Sequence, residues 1–228
     1  MQQSRRKILK TASELFSEFG FLGTSMEIIA KKLSITKAAL YYHFKSKKEL
    51  YFEVLEKSFQ NLIKSIDREV SKANSPEEVI IRAIRGYLKF GLKEKNLIRC
   101  LVLKTPDKDS EIANYIAQLR EKINRKFQSI IEETTKKLSH SSLLKKNNLK
   151  FISSFLLGTM DGLIIESALS NKKPNIKKVS SQILQILISM LNIPKENLKL
   201  DLKKSGGYKL IKEIKKTKVE VKKLIYQN

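Results

Sequence analysis

Apolar residues recur along most of this chain at intervals of three and four, the spacing that places them on one face of a helix. From Arg5 to Phe19 the set is Ile8, Leu9, Ala12, Leu15, Phe16 and Phe19, and Gly20 follows where a helix end commonly takes a left-handed residue. Thr24 and Glu27 form a T-x-x-E capping box, which predicts a short second helix with Ile28, Ile29 and Leu33 inward. Ser34-Ile35-Thr36 reads as a tight connection, and Lys37 to Phe44 as a third short helix with Leu40 and Phe44 toward the core. A second box, Ser46 with Glu49, opens a long helix from Lys47 to about Ser71 whose stripe runs from Leu50, Val54 and Leu55 to Ile66 and Val70.

Past a polar break, Ser75-Pro76-Glu77-Glu78 starts another helix, with proline in the first turn where its missing N–H is harmless, and the pattern carries to Lys93. Further helices are predicted over Asn96–Lys104, Ser110–Leu138, Phe151–Leu169 and Ile176–Leu191, separated by breaks at Thr105-Pro106-Asp107, Ser139–Ser142 and Asn171–Asn175. After Pro194 the chain becomes lysine-rich. Leu210, Ile211, Ile214, Val221, Leu224 and Ile225 keep helical spacing there, while Lys218 to Val221 also alternates as a hairpin would. The expected fold is all-α, divided into a three-helix unit over residues 1–50, a helical body over 51–194 and a basic extension over 195–228.

Composition narrows the picture. Glycine (8) and proline (4) are scarce and tryptophan is absent, as expected of few, long helices. No window approaches ~18 uninterrupted apolar residues, and the best stretch, Phe155 to Ile165, is short and contains Asp161, so no membrane span is expected. The residues after Met1 show no signal-peptide core, and a single cysteine, Cys100, suits a reducing compartment; a cytoplasmic location is expected. Lys plus Arg number 46 against 23 acidic residues, a formal charge of +23, which attracts polyanions. Lysine-rich surfaces also arise from adaptation to high temperature, so charge alone does not name the partner. Two histidines (His43 and His140), one cysteine, no G-x-S-x-G and no glycine-rich phosphate loop leave no catalytic constellation; no enzyme activity, cofactor or metal is expected.

Two short helices joined by a tight turn match helix-turn-helix geometry. Ala30 is small where a second helix must cross, Ile35 is expected to plug the turn, and Leu40 anchors the third helix. That leaves Thr36, Lys37, Ala38, Ala39, Tyr41, Tyr42 and His43 for a major groove about 12 Å wide. Without further information Tyr41, Tyr42 and His43 would equally suit an ordinary surface cluster.

The stretch from Ile8 to Leu50 resembles the DNA-binding domain of the TetR family. It carries A-x-E-L-F at Ala12–Phe16, G-x-x-x-T at Gly20–Thr24, and above all L-Y-Y-H-F-K-S-K at Leu40–Lys47. The resemblance implies that Thr24 and Ser25 meet a phosphate, that Thr36 caps the recognition helix, and that Lys37, Ala38 and Tyr41 reach base edges. It also implies that Tyr42, His43 and Lys47 clamp phosphates. Two residues depart from the family pattern: Ser34 and Ala38 stand where glycine is usual, so the turn has to tolerate a left-handed or strained serine.

Beyond residue 50 the resemblance is one of layout. It implies a homodimer through the helices near 151–170 and 176–191, a small-molecule effector held among the middle helices, and double-stranded operator DNA as partner. Ser154, Gly158 and Gly162 permit close approach, and Ile183, Leu184, Leu187, Ile188 and Leu191 are strongly apolar; an interface or plain core would both accommodate them. Tyr87, Phe90, Cys100, Leu119, Phe155, Met160 and Asp161 are the candidate pocket residues, although apolar residues at this spacing also suit core. The expected function is a ligand-responsive repressor released from a palindromic operator by a lipophilic effector. The competing reading is a sequence-independent binder of nucleic acid or membrane through the basic extension.

Overall fold

In the computed structural model, which describes residues 2–94, 98, 110–137, 146–170 and 172–190, the helical periodicity is realised as eight α-helices. They are α1 (Gln2–Gly23), α2 (Met26–Leu33), α3 (Lys37–His43), α4 (Lys47–Val70), α5 (Pro76–Lys93), α6 (Ser110–Lys137), α7 (Lys146–Ser170) and α8 (Ile176–Met190). The described residues contain no strand. Apart from Ile98, the expected helix Asn96–Lys104, Cys100 included, lies outside the described residues, as do His140, Leu191 and the extension over 195–228.

Local chemistry sets most of the boundaries. Gly20 interrupts α1 with φ 74°, so the last turn before Gly23 is offset from the main helix. Ser34 takes φ 55° and ψ 39° and closes α2 in a Schellman arrangement: Ile35 N–H donates to Ala30 O and Ser34 N–H to Lys31 O, both at 3.1 Å. Ser46 Oγ accepts from Glu49 N at 3.0 Å, and Glu49 reaches back to Lys45 N at 2.7 Å. Ser75 caps α5 in the same way, with Glu78 returning to Asn74 N at 3.0 Å.

One predicted cap moves by a residue. Ser25, not Thr24, caps α2, its Oγ accepting from Ile28 N at 3.1 Å. Thr24 is buried instead, and its hydroxyl is shared between Gly20 O at 2.9 Å and Leu15 O at 3.2 Å. Phe19, Ile28 and Ile35, expected inward, are substantially exposed. Three helices around so small a core have inward places for Phe16, Ile29 and Leu40, and the flanking apolar residues are left outside.

Two hydrophobic cores result. The first joins Phe16, Phe21, Ile29, Leu40, Phe44 and Tyr51, and it extends to Leu55 of α4 and to Ile112, Ile116 and Leu119 of α6. The second gathers Leu62 and Ile66 of α4, Ile84 and Leu88 of α5, Phe127 of α6, and the inner faces of α7 and α8. The expected boundary at residue 50 therefore falls inside a continuous helix, because α4 and α6 each contribute to both cores. Arg5 forks onto the Glu53 carboxylate, tying the start of α1 to α4. Along α4 and α6, Lys48 pairs with Glu111 at 2.8 Å, Tyr115 donates to Glu56 at 3.0 Å, and Lys126 pairs with Asp67 at 2.7 Å.

α5 is the central helix, packed against α4, α6, α7 and α8. It crosses α4 at Gly86, where a Cβ would stand 2.6 Å from Ile66 Cα. Residues 149–170 of α7 are apolar and long enough to cross a membrane, with mean hydropathy 1.3. The helix packs by its inner face on α5, α6 and α8 and holds an ionised contact at Asp161, the signature of a bundle helix.

Candidate nucleic-acid interface and ligand cavity

α3 turns one residue inward and the rest outward. Leu40 is fully buried, while Lys37, Ala38, Ala39, Tyr41 and Tyr42 are exposed and His43 is half-buried. Thr36 starts the helix, its Oγ1 accepting from Ala39 N at 3.1 Å. Tyr42 is 74% exposed, an unusual amount for an aromatic side chain, and its ring meets His43 edge-on with centroids 5.3 Å apart. Exposed Lys31, Lys32 and Lys45 flank this helix. Aromatic, cationic and small side chains on a short, rigid, basic helix can read a DNA groove and grip its phosphates.

The fold brings Ser25, Thr36, Lys37, Ala38, Tyr41, Tyr42 and His43 to the outside of this three-helix unit, while the side chains of Thr24 and Lys47 have partners within the protein. Thr24 is 1% exposed with its hydroxyl engaged by backbone carbonyls. Lys47 is likewise turned inward. Its Nζ donates to Phe21 O at 2.9 Å and Thr24 O at 3.0 Å, and lies 4.2 Å above the Phe21 ring. Burial lowers the ammonium's pKa below the ordinary lysine value. Phe21 O at the end of α1 otherwise accepts only a long bond from Thr24 N at 3.4 Å, and Thr24 O follows in the α1–α2 connection, so a cation there adds a partner to each.

The second site is a cavity of about 450 Å³ at the junction of the two cores, within the range of small-molecule sites. α4 contributes Leu55, Ser58, Phe59 and Leu62, α5 contributes Tyr87 and Phe90, and α6 contributes Ile116, Leu119, Arg120 and Ile123. Of the expected pocket residues, Tyr87, Phe90 and Leu119 line it. Met160 does not: it is wholly buried in the second core. Phe155 does not either, because it points outward from α7 and is 44% exposed. The placement of the helices explains both, since among the described residues the lining comes from α4, α5, Ile98 and α6, and α7 contributes none of it.

Asp161 sits behind the cavity wall. Its Oδ1 accepts from Tyr87 Oη at 2.5 Å and its Oδ2 from Arg120 Nη2 at 2.7 Å. Burial, reinforced by the negative Asp161, pushes the Tyr87 phenol well above its ordinary pKa, so it stays protonated. Burial opposes the charge on Arg120, but the attraction and hydrogen bond of Asp161 outweigh it and raise the guanidinium's pKa. Sequence reasoning singled out Asp161 as a polar residue in an apolar helix but missed Arg120, which has an unremarkable place on the polar side of α6.

A third feature is the outer side of α7 and α8. Phe151, Phe155 and Leu169 are exposed along one stripe of α7 with Gly158 and Gly162 between them, and Ile186 of α8 is exposed beside them. A Cβ on either glycine would meet nothing within 4 Å. Ile183, Leu184, Leu187 and Ile188, expected at an interface or in the core, are core.

The family described as bacterial regulatory proteins of the tetR type matches residues 8–54. The chain is similar to the biofilm operon icaADBC HTH-type negative transcriptional regulator IcaR of Staphylococcus aureus (strain Newman), with 26% identity over 82% of this chain and 96% of the relative. In fold it resembles the fatty acid degradation regulator FadR from Bacillus halodurans (TM-score 0.70, 15% identity, 84% of this chain and 96% of the other). It also resembles FadR from Bacillus subtilis in complex with stearoyl-CoA (TM-score 0.69, 17% identity, 81% and 98%). Residues 8–54, with their helix-turn-helix, thus match the tetR family of bacterial regulatory proteins, and the chain as a whole is similar to a negative transcriptional regulator and shares the all-helical fold of the two FadR structures.

Proposed function

We propose that this regulator is a cytoplasmic repressor that binds a palindromic operator as a homodimer and is released by a small lipophilic effector. The observation that carries the reading is the outward face of α3, where Tyr42 and its exposed neighbours are held on a helix anchored by the fully buried Leu40. Base readout is assigned to Lys37, Ala38 and Tyr41, and phosphate contacts to Ser25, Thr36, Tyr42 and His43.

Dimerisation is supported by the uncovered apolar stripe of Phe151, Phe155 and Leu169 with Ile186 beside it; exposure of this kind on adjacent helices favours a two-fold, self-complementary contact. A dimer of that kind would place two recognition helices in successive major grooves, about 34 Å apart. The cavity supports the effector: it lies between the two cores, and its α4 wall continues into the helix-turn-helix core. A ligand that prefers one packing of α4 shifts the population of DNA-competent spacing. Repression accords with the negative-regulator name of the staphylococcal relative, and a lipophilic effector with the stearoyl-CoA in the second FadR structure.

Footprinting of the purified protein on the DNA upstream of its own gene, across a salt series with competitor, tests the reading. Protection of one palindrome that survives competitor and is lost in Tyr42→Ala supports it. Uniform protection that disappears at moderate salt overturns it in favour of a charge-driven, sequence-independent binder.

A further inference from the structure

The cavity wall is hydrocarbon and aromatic except for the Ser58 and Tyr87 hydroxyls and the Arg120 guanidinium, the one charged side chain in that wall among the described residues. Tyr87 has no proton to offer a guest, because its hydroxyl donates to Asp161. Asp161 is 5% exposed and does not line the cavity, and both of its oxygens are occupied, one by Tyr87 and one by Arg120. Arg120 differs. A guanidinium carries five N–H donors in a planar fork, and the contact with Asp161 uses one nitrogen, Nη2. Its side chain remains 49% exposed.

A second cation stands near the same wall. Lys122 Nζ lies 5.7 Å from the centroid of the Phe59 ring, and Phe59 lines the cavity. Acidic groups on the lining helices are engaged elsewhere, Glu56 with Tyr115 and Glu121 with Arg125. Among the described residues a cationic guest would therefore meet like charge at the wall, with the Asp161 carboxylate behind it. A neutral hydrocarbon would fill the space but leave the guanidinium donors unmatched. An anion attached to an apolar chain satisfies both halves of the site, since carboxylates and phosphates match the guanidinium fork.

We propose that the effector is an amphiphilic anion, its apolar chain lying among Leu55, Phe59, Leu62 and Ile116 and its carboxylate or phosphate head forked onto Arg120. This deepens, and rests on, the reading of the cavity as the effector site. Because the same guanidinium holds Asp161 of α7, a head group at Arg120 bears directly on the contact between α6 and α7.

The test is binding of four probes of equal chain length to the full-length protein below their micellar concentrations: palmitate, hexadecyl phosphate, hexadecanol and cetyltrimethylammonium. The expected result is that at least one anion binds roughly tenfold to a hundredfold more tightly than the alcohol, the worth of charge-assisted hydrogen bonds, and that the cation binds weakest. Which anion binds better identifies the head group. Arg120→Gln should remove the anion preference while leaving hexadecanol binding unchanged, which also reports an intact cavity, and Arg120→Lys should retain part of it. Equal or tighter binding of the alcohol or the cation overturns the proposal and leaves the effector site standing, as does an anion affinity unmoved by Arg120→Gln. Failure of all four to bind folded protein overturns the effector site together with the proposal.

Discussion

The Lys47 ammonium sits where two backbone carbonyls and an aromatic ring converge at the α1–α2 connection. The family pattern places this lysine against a DNA phosphate, whereas the fold spends its ammonium on Phe21 O at 2.9 Å, Thr24 O at 3.0 Å and the Phe21 ring at 4.2 Å. Replacing it by methionine keeps the length of the side chain and removes the charge. Hydrogen bonds from a charged donor contribute about 1.5–3 kcal/mol and an adjacent cation–π contact ~0.5–1 kcal/mol. Set against these is the desolvation that lowers the lysine's pKa, so the net loss in Lys47→Met should be about 2 kcal/mol. For a chain of this size each kcal/mol moves the melting temperature by roughly 2–4 °C, which predicts a fall of roughly 4–8 °C. Calorimetry measures that directly, and a salt series of operator binding supplies the contrast. A lysine that caps α1 leaves the dependence of log K on log salt unchanged, while loss of a phosphate contact reduces its slope by about 0.9. A Lys47→Met protein that melts within about 1 °C of the parent and shows the shallower slope would refute the capping argument.

Three further outcomes follow from particular geometries. Ser34→Gly should raise stability in urea by about 0.5–1 kcal/mol, because a left-handed L-residue costs ~1–2 kcal/mol and glycine returns part of that as unfolded-state entropy; a loss would mean the serine side chain has an unrecognised role. Gly86→Ala should destabilise by about 1–3 kcal/mol, since its Cβ would stand 2.6 Å from Ile66 Cα and 2.8 Å from Ser65 O, and neither backbone can yield alone; unchanged unfolding would mean that α4 and α5 separate freely. Tyr115, desolvated and donating to Glu56, has its pKa pushed up to about 12. The folded protein therefore holds that proton more tightly than the unfolded chain, and the contribution, complete below pH ~10, is lost as pH rises toward 12. Tyr115→Phe should show a shallower decline of stability over that window, and an identical decline would count against the contact.

Much of the fold was legible because the signals are local. Ser46 with Glu49, and Ser75-Pro76 with Glu78, set helix starts through bonds that close within four residues, and Gly20 and Ser34 mark backbone turns that the adjoining residues require. The recognition helix was equally readable, since Leu40 inward and Tyr41 and Tyr42 outward follow from a three-residue stretch of period and motif. The cavity was readable only in part. Tyr87, Phe90 and Leu119 share the cavity, but the same periodicity could not tell them from Met160, which is core, or from Phe155, which faces out. A helical repeat states that a residue has an apolar neighbour, not whether that neighbour is a side chain, a void or a second molecule.

The sequence by itself determined most of the helix starts and which residues of α3 face outward, because each depends on bonds and periods spanning a few residues. Only the tertiary structure decided which of two neighbouring hydroxyls caps α2, since Thr24 is drawn inward by Leu15 O nine residues back. It alone brought the Lys47 ammonium to Phe21 O and Thr24 O, and it alone joined Asp161 to Tyr87 and Arg120, 74 and 41 residues away. Those choices depend on how much room the packed helices leave and which buried polar groups remain to be matched, and neither quantity exists until α4, α5, α6 and α7 are brought together.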